Sequence, residues 1–170
     1  MPLSIKPILG AAMFLGVVAL SSLPVAAQDD GAVAVFGAWQ ILCQPLPEGG
    51  EQCALTQHVV AEDREQVWLQ AFAFASPDGE GAVRLSVLVP LRVILTEGLG
   101  LRIGETVNLR LEFVTCSPDG CLVSANLTAP LLAAFNEADE ALFVFHFEDD
   151  VGIGVPISLA GFTDGMAELR

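Results

Sequence analysis

Apolar and polar positions alternate along most of this chain with the two-residue period of a β-strand. In the run TVNLRLEFVTC, every odd position from Val107 to Phe113 is apolar and every even position from Asn108 to Glu112 is polar. Such alternation predicts a strand with one face toward a core and one toward solvent. Comparable runs, separated by clusters of Gly, Pro, Asp and Glu, are AWQILCQ, QCALTQHVV, QVWLQAFAFA, AVRLSVLVP, LRVILTEGLGLRIG, CLVSANLT, ALFVFHFE and GIGVPISLAGF.

Two segments break this pattern and predict short helices. TAPLLAAFNEAD offers Thr128 as an N-cap and Pro130 in the first turn, with apolar residues following at helical spacing. GFTDGMAELR predicts one or two further turns at the end of the chain. About eight to ten short strands with few helices favour a mainly β fold. We predict a single-domain antiparallel sandwich or barrel-like fold with one or two short helices, stapled by disulfides.

The first 27 residues have the pattern of a cleaved signal peptide. Lys6 precedes an apolar run of 13 residues, Ile8 to Leu20, and small residues follow up to Ala27. The run is shorter than the about 20 residues that a membrane-spanning helix needs. We therefore predict a signal peptide at 1–27, a flexible leader at 28–37 and one β domain at 38–170. The predicted location is the periplasm, the outer membrane surface or the medium, with no membrane span after cleavage.

The mature part of the chain is strongly acidic. Lys6 is the only lysine, so after residue 27 six arginines face 21 acidic residues, a net charge of −15. Nucleic-acid affinity comes largely from phosphates neutralised by Lys and Arg, so we predict no nucleic-acid partner. A basic partner, a divalent cation or solubility alone would each suit this charge.

The four cysteines, Cys43, Cys53, Cys116 and Cys121, form an even set in a chain with a secretion signal. Four cysteines allow three pairings. CQPLPEGGEQC and CSPDGC each place turn-forming residues between strand-like runs, which favours the local pairs Cys43–Cys53 and Cys116–Cys121. Zinc is disfavoured because only one pair has a suitable spacing, C-x4-C, while nine residues separate the other pair, and no C-x-x-C redox motif occurs.

No catalytic, cofactor or metal site is predicted. His58 and His146 both fall within strand-like runs without ligand spacing, and no serine stands in a G-x-S-x-G motif. The acidic segment EDDVGIG, around Asp149, offers oxygen atoms for calcium but lacks the spaced pattern of an EF-hand loop. Whether it binds a cation is open at this point.

Six motifs follow one another along the chain: W-x3-C from Trp39, GEQCAL-x-Q from Gly50, VLVPLRVILTEGLGLRIG from Val87, F-x2-C-x2-DGC from Phe113, LLAAF from Leu131 and GIGVPISLAGF from Gly152. In this combination the chain resembles the invasion-associated locus B family of exported bacterial proteins. The resemblance implies an envelope protein with structural disulfides at the four cysteines. Members of this family in pathogens are associated with invasion of host cells, so the resemblance also implies such an association. It offers no catalytic residues.

Two classes of function follow from these observations. The first is a non-enzymatic envelope protein that acts through contacts with a protein partner, in host-cell invasion or in upkeep of the envelope. The alternative is a periplasmic protein that binds a small ligand or a divalent cation. The sequence does not identify a partner.

Overall fold

The structure is a computed structural model that describes residues 32–62, 64–75, 82–147 and 151–169. These residues form eleven strands, two α-helices and a short 3₁₀ helix at Leu95–Glu97. The strands are β1 Ala32–Phe36, β2 Trp39–Pro45, β3 Glu51–Ala61, β4 Arg64–Ala75, β5 Val83–Val89, β6 Leu99–Ile103, β7 Val107–Leu111, β8 Phe113–Ser117, β9 Gly120–Leu127, β10 Glu140–His146 and β11 Gly152–Ser158. The helices are α1 Ala129–Glu137 and α2 Phe162–Glu168, at the two predicted positions.

The strands form two antiparallel sheets that share one core. The larger sheet has seven strands in the order β1-β2-β3-β4-β5-β9-β8, and the smaller has four in the order β11-β10-β6-β7. One cluster of buried side chains contains residues from both sheets and from both helices. The predicted mainly β fold with disulfides and short helices is therefore confirmed.

Side-chain hydrogen bonds at one end of the core join the two sheets. The carbonyl of Ser158, at the end of β11, accepts a hydrogen bond from Trp39 Nε1 at 2.9 Å and another from the Gln57 side-chain amide at 2.8 Å. The Gln57 carbonyl oxygen in turn accepts the Ser158 N–H at 3.0 Å. These bonds satisfy polar groups that would otherwise be costly to bury. The Trp39 ring also packs edge-on against Phe162 of α2, with ring centroids 5.3 Å apart.

Two glycines allow the backbone to approach closely beside this cluster. Gly37, in the turn between β1 and β2, and Gly161, before α2, both have positive φ. A Cβ on Gly37 would overlap the Ala160 carbonyl, and one on Gly161 would overlap the Phe36 carbonyl. The two turns are thus in backbone contact, which the Ala38 N–H to Ala160 carbonyl hydrogen bond of 3.1 Å reinforces.

The structure corrects the predicted leader and two of the predicted strands. Ala32–Phe36, assigned to a flexible leader at 28–37, is strand β1 and pairs with β2. The run TVNLRLEFVTC is two strands, because the chain leaves the smaller sheet after β7 and enters the larger sheet at β8, with only Glu112 between them. The run LRVILTEGLGLRIG forms a strand only at β6, which follows the 3₁₀ helix and a positive φ at Gly98.

Both locally paired disulfides are present. Cys43 faces Cys53 across the β2–β3 hairpin, and Cys116 faces Cys121 across the β8–β9 hairpin. Each pair is bonded, and the described residues contain no free cysteine. The pairing predicted from turn chemistry is confirmed, and each bond closes the base of a tight turn.

Candidate contact surface

Strand β4 buries its small and aliphatic residues and turns its aromatic residues outward. Successive side chains of a strand point to opposite faces of the sheet. The inward residues of β4 are fully buried, and the outward ones are only half-buried. The inward set is Val67, Leu69, Ala71 and Ala73, and the outward set is Trp68, Gln70, Phe72 and Phe74. The largest side chains of this strand therefore lie outside the main core.

The outward residues of β4 continue across the neighbouring strands as an apolar surface. Gln70 pairs with Leu88 of β5, which pairs with Leu122 of β9, so the leucines extend the face sideways. We call this surface the outer strip and define it as Trp68, Phe72, Phe74, Leu88 and Leu122. All five are half-buried, and none belongs to the described core cluster or packs against it. A sheet face of this kind is a candidate for binding another molecule.

Contacts within the face hold the aromatic side chains in place. The Phe72 and Phe74 rings are nearly parallel, with centroids 6.4 Å apart. The Arg84 guanidinium lies over the Phe74 ring, 5.3 Å from its centroid. Beside Phe72, the hydroxyls of Ser86 and Ser124 are 3.1 Å apart and hydrogen-bond each other. This bond pairs one of the two hydroxyl donors, which lowers the cost of covering that part of the face.

An open groove of about 640 Å³ lies at the Trp68 end of the outer strip. Trp68, Leu88 and Val60 provide its apolar surface, and the exposed residues Glu65 and Asp119 also line it. The His58 ring lies 6.1 Å from the Trp68 ring, inclined by 31°. Of the described residues that line the groove, two carry a carboxylate and none is Lys or Arg.

The CSPDGC hairpin places Asp119 at this groove. Gly120 has a φ of 145°, and a Cβ at this position would lie 3.1 Å from the edge of the Trp68 ring and would overlap the Val89 carbonyl. The hairpin therefore packs against Trp68 through a glycine. Asp119 precedes that glycine, and its N–H donates to Ser117 Oγ at 3.2 Å. The Cys116–Cys121 disulfide thus closes the turn that carries one of the two carboxylates.

Comparison with known proteins identifies the family. The family model described as "Invasion associated locus B (IalB) protein" matches residues 39–170. This chain belongs to the invasion-associated locus B family. The crystal structure of invasion associated protein B from Bartonella henselae is similar in fold, with a TM-score of 0.68 at 19% sequence identity. The match covers 80% of this chain and 92% of that one. No curated protein sequence matches this chain.

A second cavity of this family member, of about 600 Å³, lies between α1 and the β6–β7 hairpin. Thr128, Leu131 and Asn108 are among the residues that line it. Glu137 is the only ionisable residue among its described lining residues. The cavity thus brings together no pair of titratable groups, and we assign it no chemistry.

The two histidines, for which the sequence predicted no site, lie on different sheets. His58 is exposed on the larger sheet, next to Trp68, whereas His146 lies on β10 of the smaller sheet. The Nδ1 atom of His146 is buried without a hydrogen-bond partner among the described residues. The acidic segment Glu148–Asp150, which includes Asp149, lies outside the described residues, and its affinity for a cation stays untested.

One group of potential metal ligands occurs among the described residues. The ligand atoms of Cys43, Glu51 and Cys53 lie within 4.8 Å of one another. Both sulfur atoms are joined in a disulfide, so they are not thiolates that could bind a metal. None of the helices in the described ranges is long and apolar enough to cross a membrane.

The sequence analysis did not identify the outer strip. Its signal is present in QVWLQAFAFA, where large aromatic and small side chains alternate. Period-2 alternation between apolar residues of different size does not show which face is buried. The pairing of the four cysteines, by contrast, could be predicted, because proximity and turn composition both favour the local pairs.

Proposed function

We propose that this protein is a non-enzymatic, exported protein of the bacterial envelope that acts through protein contacts made by the outer strip. The observation that carries this proposal is the face of β4, β5 and β9, where three aromatic rings and two leucines lie outside the core. The proposal extends the family assignment, because the family name states no activity and no contact surface.

The composition of the outer strip supports a role in protein recognition. Aromatic residues and arginine are enriched at the centres of protein interfaces, where they supply most of the binding energy. Trp68, Phe72 and Phe74 are held on a rigid sheet, so little conformational entropy is lost when a partner covers them. Arg84 already lies against Phe74 and limits the loss further.

Two observations support export. Residues 1–27 have the three-part pattern of a signal peptide. In addition, each of the two disulfides joins the two strands of a hairpin and stabilises it. Disulfides persist in oxidising compartments such as the periplasm and the cell surface. The relative of known structure is named for invasion, so the partner to be sought is either an envelope component or a host surface protein.

Site-directed photo-cross-linking in producing cells tests the contact surface. A photo-reactive phenylalanine replaces Phe72 in the outer strip. In the matched control the same residue replaces Val144, which is half-buried on the face of β10 that points away from the core. We expect a discrete adduct of higher mass from position 72 and none from position 144. Equal adducts from both positions, or none from position 72, would exclude the outer strip as the contact surface.

Protease treatment of intact and permeabilised cells then locates the partner. Digestion in intact cells places the domain outside and directs the search to host surfaces. Protection until the outer membrane is permeabilised places the domain in the periplasm and directs it to envelope components. The adduct from position 72 identifies the partner in either case.

A further inference from the structure

We infer that the groove beside Trp68 binds an arginine side chain of the partner protein. The inference rests on the proposed function, because it names the chemistry that the contact surface recognises. It requires three features in one place: a partly exposed aromatic ring, acidic residues beside it and no Lys or Arg already bound there. The groove offers the first two directly, in Trp68 and in Glu65 with Asp119.

The indole of Trp68 is the most suitable aromatic surface for a cation in this chain. Tryptophan gives the strongest cation–π interaction of the aromatic side chains. The other tryptophan, Trp39, is fully buried and donates its N–H to Ser158, so it cannot serve. The same sheet face already contains one such pair, Arg84 over Phe74, whereas the described lining of the groove at Trp68 includes no Lys or Arg.

The carboxylates select a cation and favour arginine. Glu65 is near the start of β4, and Asp119 is held by the disulfide-closed hairpin, so the two approach the groove from different elements. A guanidinium can stack on the indole while its N–H groups donate to carboxylates, because it is planar and presents five donors. A lysine ammonium offers a charge but no planar face, and is expected to bind less tightly.

Overall charge agrees with this choice of partner. Residues 28–170 carry a net charge of −15, so a basic partner segment is attracted to the protein before it reaches the groove. The apolar outer strip next to the groove would cover the residues that flank the arginine. A basic segment with an arginine between apolar residues is therefore the occupant that this surface fits.

Nuclear magnetic resonance can test this inference with the mature protein. The chain has two tryptophans, so a ¹⁵N-labelled sample shows two indole N–H signals, and the variant Trp68→Phe assigns them. The probe is the blocked tripeptide acetyl-Leu-Arg-Leu-amide, and its neutral control replaces arginine with citrulline. We expect the arginine peptide to shift the Trp68 signal in a saturable way while the Trp39 signal stays in place.

A variant without the two carboxylates provides a second test of the inference. Glu65→Gln together with Asp119→Asn removes both carboxylates at exposed positions, and the unchanged Trp39 signal reports that the core is intact. We expect affinity for the arginine peptide to fall about tenfold, the effect of losing about 1.4 kcal/mol. A similar fall is expected when citrulline replaces arginine, and a smaller one for the lysine peptide.

Three results would overturn the inference: no shift of the Trp68 signal, equal binding of the citrulline peptide, or unchanged affinity in the double variant. A specific cross-link at position 72 combined with any of these would leave the outer strip as a contact surface that recognises no cation. Failure of the cross-link as well would remove the proposed surface itself. The two failures are thus distinguishable.

Discussion

Reduction of both disulfides is expected to lower the free energy of unfolding by about 4–6 kcal/mol. The rings closed by Cys43–Cys53 and Cys116–Cys121 are short, with sequence separations of 10 and 5. The loop-entropy relation gives about 2–3 kcal/mol for each. Domains are typically stable by only about 5–15 kcal/mol, so the loss is a large part of the total.

Urea unfolding of the oxidised and the fully reduced protein measures this loss. Both samples contain all four cysteines. The comparison therefore measures the effect of the cross-links separately from the packing of the Cys121 side chain, which is only 3% exposed. At a slope of about 2 kcal/mol per molar, the midpoint should fall by about 2–3 M urea. A fall of less than about 0.5 M would show that the hairpins are stable without their disulfides.

Trp39→Ala is expected to destabilise the fold by about 3–5 kcal/mol. Trp39 is fully buried, packs against Phe162 of α2 and donates to the Ser158 carbonyl. Its removal leaves a cavity where α2 and both sheets meet. Trp39→Phe should cost less, because the aromatic ring remains and Gln57 still donates to the same carbonyl.

Trp68→Ala is the matched control for that substitution. Trp68 is half-buried on the outer face and does not pack against the described core, so its loss should cost less than about 1 kcal/mol. The midpoints of urea unfolding of the two alanine variants give the comparison. Equal losses would show that the outer strip is a second hydrophobic core and would contradict its assignment as a contact surface.

The sequence predicted the elements of this fold better than their arrangement. Turn chemistry and proximity predicted both disulfides, and a Pro in the first turn with helical spacing predicted α1, because these features depend on neighbouring residues. The division of TVNLRLEFVTC between two sheets depends on which strands pair with β7 and β8. The two-residue period continues through Glu112 without a break, so the pattern could not show it.

The leader and the outer strip were missed for a similar reason. Ala32–Phe36 has the small residues of a loose segment, and its order comes from pairing with β2 and from the backbone contact of Gly37 with Ala160. Trp68, Phe72 and Phe74 have the hydrophobicity of core residues. They lie outside because Ala71 and Ala73 occupy the inner face. Packing against the opposing sheet decides which face of β4 is buried.

Hydroxyl-radical footprinting of Trp68 in producing cells and in the purified protein tests the central claim most directly. Buried Trp39 serves as the unreactive reference, and Leu95 and Leu109, 52% and 42% exposed, serve as exposed references away from the outer strip. If a partner covers the outer strip, oxidation of Trp68 relative to these leucines should be several-fold lower in cells than in the purified protein. Equal oxidation in both samples would show that the strip is uncovered in the cell and would contradict the account.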